Sequence, residues 1–224
     1  MSGLMLIAAM DRELQGTTTL HDLQVLRTGV GRKRTEVALR AMRGEPPRHV
    51  LHVGFAGALR AGLVEGDLML VTGVVGAGQT QAPQPCAQVD VLRSALAQLP
   101  GRLAQGALLT VPSFVDRPED KRALSERYQA AACDMEAHWV ASVCADLGIP
   151  YSGLRSISDN SDRRLLPPLR RANGRVGLRQ FARGLASPAT PWRATVMLHG
   201  MRRAKRSLAT ALPVAVDALR RSYQ

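Results

Sequence analysis

The chain has 224 residues, of which 46% are apolar and 21% charged, so it is long enough to bury a sizeable core and too apolar to be wholly disordered. Its three cysteines, Cys86, Cys133 and Cys144, have a wide and irregular spacing that suits neither a disulfide framework nor a zinc site. We therefore expect reduced thiols, and neither a metal nor another cofactor.

The amino-terminal stretch, residues 1–14, holds a short apolar run with no basic residue before it and reaches an acid at Asp11. A signal peptide would carry basic residues ahead of its apolar region. The chain also lacks the roughly 18 consecutive apolar residues that a membrane-spanning helix needs. We expect a cytoplasmic protein.

The net charge of +12 is distributed unevenly along the chain. Residues 1–162 contain 16 basic and 17 acidic residues, whereas residues 163–224 contain 14 basic residues and a single acid, Asp217. Such a basic segment is typical of a surface that meets nucleic acid or an anionic membrane face. A solvated, arginine-rich helix face explains the same composition, and the two interpretations stand side by side.

The first predicted strand, residues 3–10, is a continuous apolar run that leads directly into Asp11, Arg12 and Glu13. Glu13 is a candidate active-site base because ligands collect at the carboxyl ends of strands in an α/β sheet. An acid at this point also stabilises the start of a helix through the helix dipole, and on the local pattern alone that simpler explanation is favoured.

A second strand is predicted at residues 23–28, followed by the turn Gly29-Val30-Gly31 and a helix at residues 33–42. A glycine turn between strand and helix resembles a phosphate-binding cradle. Neither the P-loop lysine nor the full dinucleotide fingerprint is present, so a plain tight turn is the preferred interpretation.

The middle of the chain continues to alternate strand and helix patterns. A strand at residues 49–53 runs into Gly54-Phe55-Ala56-Gly57-Ala58, whose small side chains leave room for close packing on the backbone. Phe114 follows a predicted strand end, where it is either a stacking surface or part of the core. The remaining predicted elements are a strand at 68–75, a loop at 76–88, a helix at 89–99, a strand at 107–111 and a helix at 117–129.

Residues 133–159 bring two further acids to strand ends. Asp134 and Glu136 lie at a strand-to-helix junction, and a second strand at residues 151–157 delivers Ser158 and Asp159 at its carboxyl end. We expect the two strand ends to form opposite walls of one site.

After Asp159 the pattern changes to a polar loop at residues 160–174 and two basic helices at 177–185 and 192–221, the second interrupted near Gly200 and at Pro213. The alternation up to residue 157 predicts an α/β fold, a three-layer αβα arrangement with a central mixed, largely parallel sheet. We expect one domain over residues 1–224, with a basic helical extension at about residues 163–224.

Several short motifs together carry a family resemblance. They are, in chain order, Ala9-Met10-Asp11-Arg12-Glu13, Gly54-Phe55-Ala56-Gly57, Gly66-Asp67, Asp134-Met135-Glu136 and Arg155-Ser156-Ile157-Ser158-Asp159. In order and spacing they resemble the nucleoside phosphorylase superfamily, in particular methylthioadenosine/S-adenosylhomocysteine nucleosidases and the related hopanoid-associated phosphorylases. The tail, with Asn173-Gly174-Arg175 and two basic helices, is more similar to the hopanoid-associated branch.

The resemblance implies a role for each matching residue on the base and nucleophile sides. Asp159, with Ser158 beside it, matches the acid that protonates N7 of the purine. Glu13 matches the carboxylate that activates the attacking water, and Arg155 matches a residue near that nucleophile. An acid at the leaving group and carboxylates near the sugar suit an oxocarbenium-like transition state.

The remaining matches lie around the substrate. Glu136 and Met135 match the residues that hold the ribose, and Phe114 matches the aromatic that stacks on the purine. Phe55, Ala56 and Gly57 form the glycine-rich loop beside the nucleophile.

Two departures from the family pattern stand out. Nucleosidases usually carry a serine where this chain has Phe55, which puts one polar contact to the nucleophile in doubt. The usual His/Asp-containing loop is missing around residues 76–88, which puts recognition of the 5′ side in doubt. The Gly-Asp-Pro phosphate motif of the purine nucleoside phosphorylases is also missing from the amino terminus, so hydrolysis is favoured over phosphorolysis.

The resulting prediction is a nucleosidase that releases adenine from a 5′-substituted adenosine, with a small thioether or a lipid as the substituent. Phosphorolysis and a non-catalytic nucleoside- or nucleic-acid-binding role are the alternatives. An aromatic content of 4% argues against single-strand nucleic-acid binding, so nucleic acid is not an expected partner. The resemblance implies a homodimer, and the basic tail suggests peripheral contact with the inner membrane face.

Overall fold

The computed structural model of the protein describes residues 3–14, 23–40, 46–165 and 190–223, with the backbone alone for residues 12 and 190–194. Within these ranges the chain forms eight strands and five α-helices. The strands are β1 (Leu4–Ala8), β2 (Gln24–Arg27), β3 (His49–Ala58), β4 (Leu68–Gly76), β5 (Gln84–Pro85), β6 (Leu103–Thr110), β7 (Ala130–Asp134) and β8 (Tyr151–Asp159). The helices are α1 (Arg32–Arg40), α2 (Val89–Leu96), α3 (Pro118–Tyr128), α4 (Ala137–Asp146) and α5 (Thr190–Ser222), and a 3₁₀ turn spans Asp11–Glu13.

The strands form one mixed sheet that is organised around β3. On one side β3 pairs in parallel with β1, which pairs in parallel with β2. On the other side a ring closes: β3 pairs with β8, β8 with β4, β4 with β6, β6 with β7, and β7 with the end of β3. Of the eight pairings among the strands described above, five are parallel, so the predicted mixed, largely parallel α/β sheet is confirmed.

Two apolar clusters pack against opposite faces of this sheet and define its layers. One cluster includes Val140, Ala141 and Cys144 of α4. The other includes residues of α2 and, from α5, Leu208 and Leu212. Because side chains alternate along a strand, β3 supplies both clusters, and this places its backbone in the middle of the molecule.

Helix α5 differs from the sequence prediction, because it continues from Thr190 to Ser222 without a break at Gly200 or Pro213. Gly200 is buried and lies so close to β8 that a Cβ atom would approach the carbonyl oxygen of Ser158 to 2.6 Å. The helix accommodates Pro213 because one face, with Leu208, Leu212 and Val216, is fully packed. No helix in the described part of the chain is long and apolar enough to cross a membrane.

Other predicted boundaries shift by a few residues. The predicted loop at 76–88 contains the two-residue strand β5, which pairs antiparallel with β4, and β6 begins at Leu103 rather than at residue 107. Several predicted features lie outside the described residues: the helix at 177–185, the tail motif at 173–175, residues 166–174 of the polar loop, and the end of the helix at 33–42.

Candidate active site

Glu13, Gly54 and Arg155 meet just beyond the end of β1, beside the middle of β3 and β8. Glu13 is buried, and its carboxylate accepts hydrogen bonds from the backbone N–H groups of Met10 (2.8 Å) and Phe55 (3.4 Å). A Cβ atom on Gly54 would lie 3.3 Å from Glu13 Oε1 and 3.8 Å from Arg155 Nε. Glycine at this position therefore lets the carboxylate and the guanidinium both approach the strand.

Burial raises the pKa of Glu13 above its usual value, while the Met10 N–H bond, the Arg155 charge and the Phe55 N–H bond oppose that shift. A carboxylate that is costly to keep ionised is a stronger base than one in water, which suits proton abstraction from a water molecule.

Arg155 is itself fixed by its neighbours. Nη2 donates to Asp134 Oδ2 (2.9 Å), and Nη1 donates to the carbonyl oxygen of His52 (2.7 Å). Asp134, at the end of β7, also accepts from Thr110 Oγ1 (2.8 Å) and from the N–H of Ala137 (3.1 Å). The guanidinium is thus held rigidly, with its Nε on the side of Gly54.

Glu136 stands immediately before α4 and faces the turn that follows β2. Its Oε1 accepts a 2.7 Å hydrogen bond from the N–H of Gly31, whose φ of +88° is in the region that favours glycine. Burial, reinforced by the nearby charge of Asp134, raises the pKa of Glu136 to about 8. The glycine turn therefore donates a backbone N–H to an acidic side chain of the same chain, Glu136.

Ser158 and Asp159 lie beside the far end of β3. The pairing of β3 with β8 shifts in register between Ala56 and Gly57, so that Gly57 faces Asp159. A Cβ atom on Gly57 would lie 3.0 Å from Asp159 Oδ2, and Ser158 Oγ is 3.2 Å from the carbonyl oxygen of Ala56. Such bulges re-aim side chains near functional sites, and this one places both residues against the glycine-rich strand.

Three of the predicted site residues do not place their side chains beside Glu13 or Asp159 in the described contacts. Phe55 contributes its backbone N–H to Glu13, but its ring packs against the cluster that contains Leu51 and Val53. Met135 is partly buried against a third apolar cluster. Phe114 is 38% exposed after β6, so it is not a core residue.

Two residues at the site received no role from the sequence. Asp134 was recognised as half of an acidic pair, but its bond to Arg155 joins residues 21 positions apart. Lys121 on α3 is fully buried and bonds Asp159 at 2.5 Å. The helical spacing could have predicted that Lys121 faces inward. Lys121 lies three residues before Leu124 and seven before Tyr128, and both of these pack against the third cluster.

A model of the phosphorylase superfamily matches residues 13–173, more than half of the chain and nearly all of the residues discussed above. The chain belongs to the phosphorylase superfamily. The family resemblance predicted from the sequence motifs is therefore confirmed.

Among the relatives of this superfamily member, a 5′-methylthioadenosine/S-adenosylhomocysteine nucleosidase of Shewanella oneidensis is 30% identical over 169 residues, which cover 66% of this chain and 71% of the relative. The solved structure of a 5′-methylthioadenosine/S-adenosylhomocysteine nucleosidase of Helicobacter pylori is similar to this chain, with a TM-score of 0.71 and 18% sequence identity. The match covers 96% of this chain and 97% of that one. A futalosine hydrolase of Helicobacter pylori gives a TM-score of 0.69 at 17% identity, covering 96% and 98%. At these identities the two structures establish the fold.

Proposed function

We propose that this protein is a nucleosidase that hydrolyses the N-glycosidic bond of a 5′-substituted adenosine and releases adenine. Purine nucleosidases are the enzyme class of its named relatives. The observation that carries the proposal is the placement of Glu13 against Gly54 and of Asp159 against Gly57 along one strand. The two contacts lie three residues apart on β3, about 10 Å along the strand.

In the proposed reaction, Glu13 takes a proton from a water molecule as that water attacks C1′. The Arg155 guanidinium beside Glu13, anchored by Asp134, favours the ionised form of Glu13 that must act as base. Asp159 delivers a proton to N7 of the purine, so that the base leaves as a neutral molecule.

Glu136 is assigned to the ribose hydroxyls. Its carboxylate is buried and already accepts one hydrogen bond from Gly31. A ribose hydroxyl donating to Glu136 would stabilise the ionised form, whose pKa the surroundings raise. Sugar binding would therefore be accompanied by the loss of a proton from this residue.

Hydrolysis is preferred to phosphorolysis because the groups around the proposed nucleophile are those that a water molecule needs. Glu13 is a carboxylate that would repel a phosphate ion, and the Arg155 guanidinium beside it is already bonded to Asp134. The proposal covers both a small thioether and a lipid as the 5′ substituent.

The test measures adenine released from 5′-methylthioadenosine and S-adenosylhomocysteine by the parent protein and by two variants. We expect Asp159→Asn to slow release by about 100-fold, because general acid catalysis contributes about that much or more. Asp162→Asn is the matched control, since Asp162 is exposed and bonds only Ser161 in the described contacts. Release that is equally fast with Asp159→Asn contradicts the assignment of the acid, and no release from any 5′-substituted adenosine contradicts the proposed function.

A further inference from the structure

Lys121 is a fully buried lysine on the inward face of α3. Its helix neighbours on that face, Leu124 and Tyr128, pack against an apolar cluster. A buried ammonium group is costly unless it is paired and hydrogen-bonded, so its partners indicate what it does.

Both side-chain hydrogen bonds described for Lys121 lead to the end of β8. Nζ donates to Asp159 Oδ2 at 2.5 Å and to the carbonyl oxygen of Asn160 at 2.7 Å. The side chain of Lys121 is 0% exposed and that of Asp159 is 13% exposed. Lys121 therefore stands behind Asp159, reaching a ligand only through that carboxylate.

The second oxygen of Asp159 is also occupied. Ser158 Oγ donates to Asp159 Oδ1 at 2.7 Å. Both carboxylate oxygens of Asp159 therefore accept hydrogen bonds, and neither of them donates one in this arrangement. The nearest proton on a charged group is the one on Lys121 Nζ.

We propose that Lys121 is the positioning residue of the leaving-group acid and supplies, through Asp159, the proton that the purine receives. This inference rests on the proposed nucleosidase function. As the C1′–N9 bond breaks, its electron pair moves onto the purine; one proton passes from Lys121 Nζ to Asp159 and on to N7, leaving a carboxylate and a neutral amine. The attacking water forms the C1′–O bond and gives its proton to Glu13. After adenine leaves, solvent takes the proton from Glu13 and returns one to Lys121 through Asp159.

Two substrates separate this role from a purely structural one. Release of adenine from 5′-methylthioadenosine needs a proton at the base. The 4-nitrophenyl glycoside of 5-methylthioribose does not, because 4-nitrophenolate is a stable anion. Replacing a residue that serves only the transfer of this proton therefore slows cleavage of 5′-methylthioadenosine and leaves the rate of cleavage of the nitrophenyl glycoside unchanged.

Lys121→Arg is the decisive variant, because arginine keeps the positive charge and hydrogen-bond donors but does not release a proton in proteins. We expect it to lower kcat for adenine release about 100-fold while leaving cleavage of the nitrophenyl glycoside close to that of the parent. Lys121→Met is expected to give the same pattern. Lys205→Arg, on α5, is the matched control and is expected to change neither substrate.

The outcomes distinguish the two proposals. If Lys121→Arg keeps full activity on 5′-methylthioadenosine, or if it lowers both substrates equally, the relay through Lys121 is wrong and the nucleosidase proposal stands. If the parent protein cleaves neither substrate, the nucleosidase proposal itself is wrong. The double variant Lys121→Arg, Asp159→Asn is expected to release adenine no more slowly than Asp159→Asn alone, because Lys121 acts only through Asp159.

Discussion

Glu136 shows how strongly single residues are perturbed at this site. Its pKa is raised to about 8 by burial and by the charge of Asp134, against an ordinary value of 4.5. The folded protein therefore binds a proton at Glu136 more tightly than the unfolded chain does. The resulting stability is fully present below pH 4.5 and is lost as the pH rises toward about 8.

We expect Glu136→Gln to remove this pH dependence. Glutamine has the same shape and keeps an acceptor for the N–H of Gly31, but it does not ionise. The free energy of unfolding of the parent should fall relative to the variant by up to about 1.4 kcal/mol per pH unit across that interval. Urea unfolding at several pH values measures the difference, with Glu126→Gln, an exposed carboxyl on α3, as control. A constant difference between parent and variant would mean that Glu136 does not titrate in this range.

Phe55 is the residue at which the sequence motif and the structure lead to different expectations. The motif alone predicts that a phenylalanine in place of serine removes one polar contact to the nucleophile. In the structure its ring packs beside Leu51 and Val53, away from Gly54 and Glu13. The direction of a side chain depends on strand register, which a motif does not contain.

Phe55→Leu is accordingly expected to cost about 1 kcal/mol of stability through poorer packing and to leave kcat for adenine release near that of the parent. Thermal unfolding and steady-state kinetics measure the two effects. A marked rise in kcat would show that the phenylalanine ring obstructs the site.

The three candidate carboxylates were predictable as residues at strand ends, because the strands before them are apolar runs and the turns after them are polar. Glu13, Glu136 and Asp159 do follow β1, β7 and β8 in this way, or end them. Lys121 was not predictable to the same degree, because its partner Asp159 lies 38 residues away and only the tertiary structure brings the two together.

Hydrophobic periodicity predicted most of the strands and helices correctly. The predicted interruptions of the last helix, at Gly200 and Pro213, were wrong. Gly200 and Pro213 are poor helix residues, yet α5 passes through both. The packing of its apolar face on α2 and the sheet outweighs the intrinsic preference of two positions. The predictions of a single domain and of an extension beginning near residue 163 stay predictions.

Gly200→Ala tests how closely α5 is fitted to β8. In an open helix the change would stabilise by about 0.5–1 kcal/mol. Here the new Cβ atom would approach the carbonyl oxygen of Ser158 to 2.6 Å, so we expect a loss of about 1–3 kcal/mol. A lower Tm for Gly200→Ala than for Thr210→Ala, a change on the exposed side of α5, would confirm the fit. An increase in Tm would contradict it.

For the whole molecule, the basic carboxyl-terminal region is the main unassigned property. Arg202, Arg203 and Arg206 are exposed on α5, while Leu208 and Leu212 on the same helix are buried in the core. Because these apolar residues are already covered, this stretch of α5, residues 202–212, offers charge rather than an apolar face to a membrane.

We therefore expect the protein to sediment with anionic phospholipid vesicles at low salt and to be released at high salt, since such binding is electrostatic. Vesicles of neutral phospholipid are the control, and replacement of Arg202, Arg203 and Arg206 by glutamine should weaken the binding. A protein that stays in the supernatant with anionic vesicles at low salt has no membrane surface of this kind. The predicted homodimer stays a prediction that light scattering can test.

Water, and not phosphate, is the proposed nucleophile in a reaction that separates a purine from its sugar. Mass spectrometry of the sugar product distinguishes the two nucleophiles after the parent protein is incubated with 5′-methylthioadenosine in phosphate buffer. We expect adenine together with free 5-methylthioribose. Recovery of 5-methylthioribose 1-phosphate, or of unchanged nucleoside, would contradict it.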